Sequence, residues 1–421
     1  MMRMAAVHLE PGHAPAVASR EGSRAPVSAD AGTALGGEVG GGHTALAERT
    51  TRGRSVEPVR ASPEGPPPLR IRVGIIGATG YVGGELVRLL GRHPNVEIVG
   101  LQGRNRTDEP VGVSHAHLSG TGLAVDGELP RDVDAVFLAL PHGAAASLVP
   151  DLLGRGVTII DLGPDFRLRD SADYPRWYGF DHPKPELLGE AVYGLPELHR
   201  TELAGLAERG HPIVGAPGCY PTATLLALAP LARAGLVDDL VVDAKSGVSG
   251  AGREAKPELT FGEVNESVKA YGLGGHRHVA EIEQELSAIG RTAGLAADAN
   301  PGAAGVDFLP HLIPMTRGIL STCHVRPSRP IEQAELDALY AEAYSDEPFV
   351  MVVPQPPATK HVLGSNDVRV HARADERTGR VIAIAVIDNL VKGAAGQAIQ
   401  AFNVVHGLDE SAGLAQLPLA P

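Results

Sequence analysis

The sequence has few cysteines, few aromatic residues and no long apolar run. Only two of its 421 residues are cysteine, one is tryptophan, and Phe, Trp and Tyr together make up 4%. Two cysteines cannot build a disulfide framework, and no uninterrupted apolar stretch approaches the roughly 18 residues needed to cross a bilayer. The sequence therefore predicts a cytoplasmic protein with no membrane partner.

Basic residues are also fewer than acidic ones. Lys and Arg number 37 against 50 Asp and Glu, so the formal net charge is -13 at pH 7. No block of basic residues stands out, and the chain lacks the charge pattern of a protein that binds nucleic acid. Apolar residues make up 43%, which is enough for two ordinary cores. We expect two domains and a small-molecule partner.

Residues 1–69 differ from the rest in composition. They are rich in Ala, Gly, Pro, Ser, Arg and Glu, contain no Phe, Tyr or Trp, and show no helical or strand periodicity. Such a segment buries too little to order itself, which predicts a disordered low-complexity tail. His8, Glu10 and Pro11 interrupt the first apolar stretch, so a secretory signal peptide is disfavoured.

A strand, a glycine-rich turn and a helix follow the tail. A β-rich run at 71–76 leads into "GATGYVGGELVRLL", and a second β-rich run at 96–101 completes a βαβ unit. Glycines in such a turn let backbone N–H groups and the helix N-terminus approach a pyrophosphate. The residues expected to bind a dinucleotide are Gly77, Thr79, Gly80, Tyr81, Val82 and Gly83.

The end of the second strand indicates which dinucleotide is bound. Enzymes that prefer NAD usually carry Asp or Glu there, whereas this chain has "GLQGRNRTDE" with Arg104 and Arg106. Guanidinium groups suit a 2′-phosphate, which favours NADP. The alternative is that both arginines are solvated loop charges.

Three further apolar runs, at 133–143, 156–168 and 211–219, predict strands buried on both faces of a parallel sheet. Ligands in such sheets bind at the carboxyl ends of the strands. The residues expected at that edge are Pro141, His142, Gly143, Asp161, Asp165, Arg167 and Cys219. Pro141, His142 and Gly143 are the expected contacts to substrate.

Cys219 lies in "VGAPGCYPT", where a loop turns into a helix-like run. A helix N-terminus favours a thiolate and can lower a thiol pKa to about 3.5–7.5, so Cys219 is a candidate nucleophile. Packing is the alternative role for a lone cysteine. Cys323 has no such context and is expected to be buried.

The chain after Cys219 predicts an α+β domain with a mostly antiparallel sheet. Within it, His276 and His278 of "HRH" precede a helix and are candidates for the proton carrier that a cysteine nucleophile needs. Satisfied polar histidines are the alternative, and no third clustered ligand indicates a metal.

Several blocks together resemble the N-acetyl-γ-glutamyl-phosphate reductases of arginine biosynthesis, relatives of aspartate-semialdehyde dehydrogenase. They include "GATGYVGGELVRLL", "LALPHG", "DLGPDFRL", "YGLPEL", "APGCYPT", "SGVSGAGR", "HRHVAEIEQ" and "NLVKGAAGQAIQAFN". The resemblance runs from about 71 to 408. Family members commonly have Thr-Pro after the second His of "HRH", where this chain has Val-Ala.

The resemblance implies an NADPH-dependent reduction of N-acetyl-γ-glutamyl phosphate to N-acetylglutamate semialdehyde, with phosphate released. Cys219 would form a thioester, and His278 or His276 would act as acid and base, with His278 resembling more closely the single catalytic histidine of the semialdehyde dehydrogenases. Asn389 and Gly393 would lie beside the nicotinamide, and Arg253 is a candidate clamp for a substrate carboxylate or phosphate.

The resemblance also implies a Rossmann-type parallel-sheet domain over 70–218, completed by a C-terminal helix over 390–421. A catalytic and dimerisation domain would cover 219–389, with a homodimer or homotetramer as the assembly. Two alternatives remain open at this point: a reductase acting on aspartyl phosphate or on carrier-linked aminoadipyl phosphate, and a non-catalytic NADP-binding regulator.

Overall fold

The computed structural model describes residues 70–103, 108–210, 212–295 and 305–420. The predicted tail over 1–69 lies outside these ranges. Within them, no helix is both long enough and apolar enough to cross a membrane.

The first sheet is built from six strands in the order β2-β1-β5-β6-β8-β7, and every neighbouring pair is parallel. Its strands are β1 Ile71–Ile76, β2 Val96–Gln102, β5 Ala135–Leu138, β6 Thr158–Asp161, β7 Ala191–Tyr193 and β8 Ile213–Gly215. Each residue of β5, β6 and β8 is buried, as the continuous apolar runs predict. This confirms the predicted Rossmann-type sheet.

Helices cover the first sheet and a small hairpin extends from it. The helices are α1 Tyr81–Leu90, α2 Val111–Ser114, α3 Val149–Gly154, α4 Asp173–Trp177 and α5 Pro196–Ala204, and the hairpin pairs β3 Glu109–Pro110 with β4 Ala124–Val125. In α1 the residues Leu86, Leu89 and Leu90 are buried, so the helical spacing read in the sequence packs α1 on the sheet.

The second sheet has seven strands in the order β10-β11-β9-β12-β15-β14-β13. They are β9 Asp239–Ser246, β10 Lys269–Ala270, β11 Asp307–Leu312, β12 Ile319–Arg326, β13 Val350–Val352, β14 Val368–Asp375 and β15 Arg380–Ile387. Only β11 with β9 and β13 with β14 are parallel, so the predicted mostly antiparallel sheet is confirmed. Strict alternation of burial along β9 and β12 places one face of the sheet in the core.

Four longer helices complete the fold: α6 Cys219–Arg233, α8 His278–Thr292, α9 Gln333–Tyr344 and α10 Gly396–Val405, with a short helix α7 Phe261–Val264. Helix α6 is apolar on all sides and buried from Tyr220 to Ala232. It packs between α8 and the second sheet, which brings its first residue to the edge of the parallel sheet.

The C-terminal segment packs into the core of the parallel sheet. Ala398 and Phe402 of α10 join Val73 and Phe137 in one hydrophobic cluster. The predicted helix over 390–421 is too long, however. A π-helical turn precedes α10, and α10 ends at Val405. Gly407 adopts a left-handed φ of 63° and its N–H closes on Val404, which ends the helix as glycine does at many helix C-termini.

Candidate active site

Cys219 is the first residue of α6, immediately after the turn that leaves β8. Gly218 is the residue before the helix and has extended backbone angles, so the thiol enters the site on a sharp change of direction. Cys219 is half-buried, whereas Cys323 in β12 is fully buried. Of the two thiols, Cys219 is the one that reaches a cavity.

The surroundings of Cys219 do not prepare a thiolate in the free protein. Burial raises the pKa of the Cys219 thiol to about 11, although the charges of Arg167 and Arg277 and the N–H of Tyr220 act to lower it. Desolvation therefore outweighs the helix N-terminus from which we expected a lowered pKa. A thiol in this state needs a base before it can act as a nucleophile.

His278 is the first residue of α8 and packs on the backbone of Gly218. A Cβ placed on Gly218 would lie 2.5 Å from Nε2 of His278, so only glycine at this position leaves room for the imidazole. Burial, reinforced by the nearby His276 and Arg167, lowers the pKa of His278 well below its usual value. The neutral ring can accept a proton.

His276 lies behind His278, with ring centroids 4.8 Å apart. The rings of Tyr220, Tyr271 and Phe308 surround it at centroid distances of 5.3–5.7 Å. Burial and the charge of Arg277 lower its pKa to about 4. Both histidines line the cavity that contains Cys219, and His278 is the one that packs against Gly218, the residue before the thiol.

Glu281 contacts several residues of this arrangement, and its role was not predicted from the sequence. Its fully buried carboxylate accepts the N–H of Gly218 at 2.9 Å and the hydroxyl of Tyr193 at 3.0 Å, and lies 3.9 Å from Nε2 of His278. Arg167 pairs with it at 3.3 Å. One signal was available: Glu281 follows His278 by three positions and so lies on the same face of α8, where a buried carboxylate requires a partner.

The cavity at Cys219 has a volume of about 360 Å³ and a cationic rim. Lys256, Lys269 and Arg277 contribute positive charge, and Glu258 is the one carboxylate among its lining residues. These three cations are exposed at its mouth. The cavity therefore suits a small anion, and the sequence reading had overlooked all three.

The predicted substrate contacts are distributed differently from expectation. His142 lies 2.6 Å from Arg277, and the N–H of Gly143 is held by Asp165 at 2.8 Å, so the loop after β5 reaches the cationic rim but does not line the cavity. Pro141 precedes them in the same exposed turn. Arg253 donates instead to the backbone oxygen of Thr79, at 3.0 Å, and lies against the glycine-rich turn.

The glycine-rich turn has the backbone that a dinucleotide needs. Gly77 has a φ of 93°, and a Cβ there would collide with the oxygen of Ala139 at 2.2 Å. A Cβ on Gly83 would collide with the oxygen of Gly77, also at 2.2 Å, whereas a Cβ on Gly80 would make only an ordinary contact with the same oxygen, at 3.5 Å. The turn, which includes Thr79, Tyr81 and Val82, thus places the backbone N–H groups at the start of α1 on an accessible surface. Such a surface fits a pyrophosphate.

Gly393 and Asn389 are the site residues predicted in the C-terminal part of the chain. A Cβ on Gly393 would lie 2.8 Å from Cβ of Cys219, so this glycine packs directly on the thiol residue. Asn389 accepts the N–H of Gly318 at 2.7 Å and donates to Ser249 at 2.9 Å. The π-helical turn Val391–Ala395 is what brings Gly393 to Cys219. Arg104 and Arg106 lie outside the described residues.

Family models match most of the described chain. The model described as "Semialdehyde dehydrogenase, NAD binding domain" matches residues 72–206, and "Semialdehyde dehydrogenase, dimerisation domain" matches residues 219–389. Both matched regions contribute to the site, the first through the glycine-rich turn and the second through Cys219, His276 and His278.

Curated relatives share nearly their whole length with this chain. An N-acetyl-gamma-glutamyl-phosphate reductase of Desulforudis audaxviator is 49% identical over 82% of this chain and 98% of its own. Its namesake from Heliobacterium modesticaldum is 47% identical over 83% of this chain and 100% of its own.

Solved structures of aspartate-semialdehyde dehydrogenases share the fold at much lower identity. One from Vibrio cholerae has a TM-score of 0.59 at 19% identity, covering 80% of this chain and 98% of its own. One from Candida albicans, with NADP, has a TM-score of 0.59 at 15% identity over 80% and 98%.

Proposed function

The chain belongs to the N-acetyl-γ-glutamyl-phosphate reductase family, and from that premise we propose that Cys219 is the nucleophile of its reaction. The reaction is the reduction of N-acetyl-γ-glutamyl phosphate to N-acetylglutamate semialdehyde, with release of phosphate, in arginine biosynthesis. The observation that carries the proposal is that the half-buried Cys219, at the start of α6, lines one cavity with His278, while His278 packs on the preceding Gly218 and Gly393 packs on Cys219.

The first half-reaction needs a base and a leaving group. Because burial keeps the thiol of Cys219 protonated and His278 neutral, the thiol proton moves to His278 as the sulfur attacks the acyl carbon. The bond between the acyl carbon and the phosphate oxygen breaks, and phosphate leaves. The product is a thioester on Cys219 and a protonated His278 beside Glu281.

The second half-reaction returns the protons. A nicotinamide dinucleotide, which the glycine-rich turn would hold, would supply the hydride for reduction of the thioester carbon. His278 gives its proton to the resulting oxyanion, which forms a hemithioacetal. The hydroxyl proton then passes back to His278, the carbon–sulfur bond breaks, and Cys219 recovers its proton as the semialdehyde leaves. Glu281 stabilises the protonated imidazole at each stage.

The substrate carries two anionic groups, a carboxylate and a phosphate, and the cationic rim of the cavity can bind both. We propose that Arg277, Lys256 and Lys269 bind these two groups, because they line the cavity of Cys219. Arg253 is better suited to the dinucleotide, since it already contacts the glycine-rich turn. His142 supports Arg277 from the loop after β5.

NADP is the proposed cofactor. The proposal rests on Arg104 and Arg106, which follow the second strand of the βαβ unit where an acidic residue would select NAD. Gly77, Gly80 and Gly83 would receive the pyrophosphate, and Asn389 the nicotinamide end.

We propose a homodimer or homotetramer in the cytoplasm, with a dinucleotide domain over 70–218 and 390–421 and a catalytic domain over 219–389. The far face of the second sheet supports self-association, because Leu320, Ile382 and Ile384 remain only half-buried there while their neighbours along the strands are in the core. The match to a dimerisation domain covers the same sheet.

The experiment that tests the proposal is rapid mixing of enzyme with acyl phosphate in the absence of reduced dinucleotide. Wild type should release one phosphate per active site and carry a thioester that maps to Cys219. Cys219→Ser should release none while keeping dinucleotide affinity, and Cys323→Ala should behave as wild type. An adduct on Cys323, or normal turnover in Cys219→Ser, would overturn the assignment.

Substrate selectivity is tested in the reverse direction. Phosphate-dependent reduction of NADP should proceed with N-acetylglutamate semialdehyde and be slower by orders of magnitude with aspartate semialdehyde. Equal rates would return the aspartyl alternative to consideration.

A further inference from the structure

A second cavity, of about 740 Å³, lies apart from the catalytic one, which is about 360 Å³. The two cavities share no lining residue. The walls of the second are the outer side of α1, the segment 315–317 between β11 and β12, the turn 359–364 and the chain near its C-terminus. Its volume falls in the range of small-molecule sites, roughly 300–1,000 Å³.

One side of this second cavity is cationic. Arg88 and Arg317 line it and share the buried carboxylate of Glu85, at 2.6 and 3.0 Å. Arg317 also faces Asp388 at 3.5 Å, so these two carboxylates balance the two arginines. Lys360 adds a charge that has no ion-pair partner within the described residues.

The arginines are held in place but not enclosed. The side chains of Arg88 and Arg317 remain 31% and 27% exposed, although both are bound to Glu85. A fixed guanidinium with free N–H donors loses little entropy on binding an anion, which makes this wall a prepared surface.

The opposite side is apolar and uncovered. Leu417 and Leu419 line the cavity with 85% and 63% exposure, together with Leu363 and Met315. The N–H of Leu419 is bound to the oxygen of Leu363 at 2.7 Å, so the C-terminal segment forms a fixed wall at this point. An apolar wall facing two fixed guanidinium groups and the unbalanced charge of Lys360 suits an organic anion better than an inorganic one.

We infer that this cavity binds a small organic anion. Its carboxylate or phosphate lies against Lys360, Arg88 and Arg317, and its hydrocarbon part lies against Leu363, Leu417 and Leu419. The site is distinct from those for substrate and dinucleotide, and it does not depend on the reaction proposed above.

The segment 315–317, which lines the second cavity, also contacts a segment that supports the active site. The backbone oxygens of Met315 and Thr316 accept the N–H groups of Val248 and Ser249, at 2.9 and 3.2 Å. Gly250, the next residue, lines the catalytic cavity. An occupant of the second cavity therefore contacts the segment that supports one wall of the active site.

The test uses 8-anilinonaphthalene-1-sulfonate, an organic anion whose fluorescence rises on transfer to an apolar site, with full-length enzyme saturated with NADPH. Wild type should show one saturable site per chain, and citrate should displace the probe. Lys360→Glu and Leu419→Asp should each weaken binding at least tenfold. Lys256→Glu, the matched charge reversal at the catalytic cavity, should leave the dissociation constant within twofold.

Three outcomes of the titration would overturn the inference. They are the absence of a saturable site in wild type, equal affinity in wild type and Lys360→Glu, and a larger loss in Lys256→Glu than in Lys360→Glu. Sedimentation velocity accompanies the titration, because a change of oligomeric state in Lys360→Glu or Leu419→Asp would make this face an interface between copies and would equally refute it.

Discussion

Gly218 precedes Cys219 in the chain and packs against the imidazole of His278, and a single methyl group tests whether that close packing matters. In Gly218→Ala the new Cβ would lie 2.5 Å from Nε2 of His278 and 2.9 Å from two ring carbons. Ordinary van der Waals contact begins near 3.4 Å, so the ring must retreat by about 0.9 Å. His276 and Tyr220 pack against the ring and limit where it can go.

The expected loss follows from that displacement. Moving an acid/base group by about 1 Å can cost about 10²-fold in rate, so kcat/KM should fall about 10²-fold, or about 2.7 kcal/mol of transition-state stabilisation. The effect on folding should be smaller. The backbone of Gly218 suits alanine, whose lower unfolded-state entropy contributes about 0.4–1 kcal/mol against about 1–3 kcal/mol for overpacking.

The assay is steady-state reduction of acyl phosphate, with thermal unfolding measured in parallel. Gly275→Ala is the matched control, because a Cβ there meets open space beside His276, and its activity should be unchanged. In a His278→Ala background, Gly218→Ala should cost less than about threefold, since the group it displaces is gone. Full multiplication of the two losses would refute the reasoning.

Three further predictions concern the histidines, the thiol and the choice of dinucleotide. His278→Asn should lower turnover by about 10²–10⁴-fold and more than His276→Asn, measured by steady-state kinetics; the reverse order would assign the proton to His276. Burial raises the pKa of Cys219 to about 11, so its thiolate fraction at neutral pH is small. The rate of alkylation of the free enzyme by iodoacetamide should therefore rise about tenfold per pH unit from 7 to 10. A plateau of this rate near pH 7 would contradict the raised pKa. Replacing Arg104 and Arg106 by Ala should weaken NADPH by about 1.5–3 kcal/mol while leaving NADH nearly unchanged, measured as dissociation constants; equal losses would remove the case for a 2′-phosphate contact.

Charge and position along the chain do not specify the target of a side chain. Arg253 has the right chemistry for a carboxylate and lies in a block typical of the family, yet its guanidinium contacts Thr79. Arg277, between the two histidines, lines the cavity. Nothing in local spacing distinguishes them, because the direction of an exposed arginine depends on which loops the fold brings beside it.

The sequence by itself determined the two sheets and the position of the thiol. Continuous apolar runs specify strands buried on both faces, alternation specifies a sheet with one face in the core, and the Pro and Gly before Cys219 end a strand where a helix begins. These are local patterns of periodicity and backbone preference, so they can be read without knowing what packs where.

Tertiary structure decided the chemistry around that thiol. Helix N-termini lower thiol pKa values, but the enclosure of Cys219 by α8 and Gly393 raises this one, and a chain cannot reveal how much water its distant segments exclude. The role of Glu281 has the same origin. Its partners Gly218, Tyr193 and Arg167 lie at least 63 residues away in sequence, and only the packing of α8 against β8 and the start of α6 brings them within hydrogen-bond reach of one carboxylate.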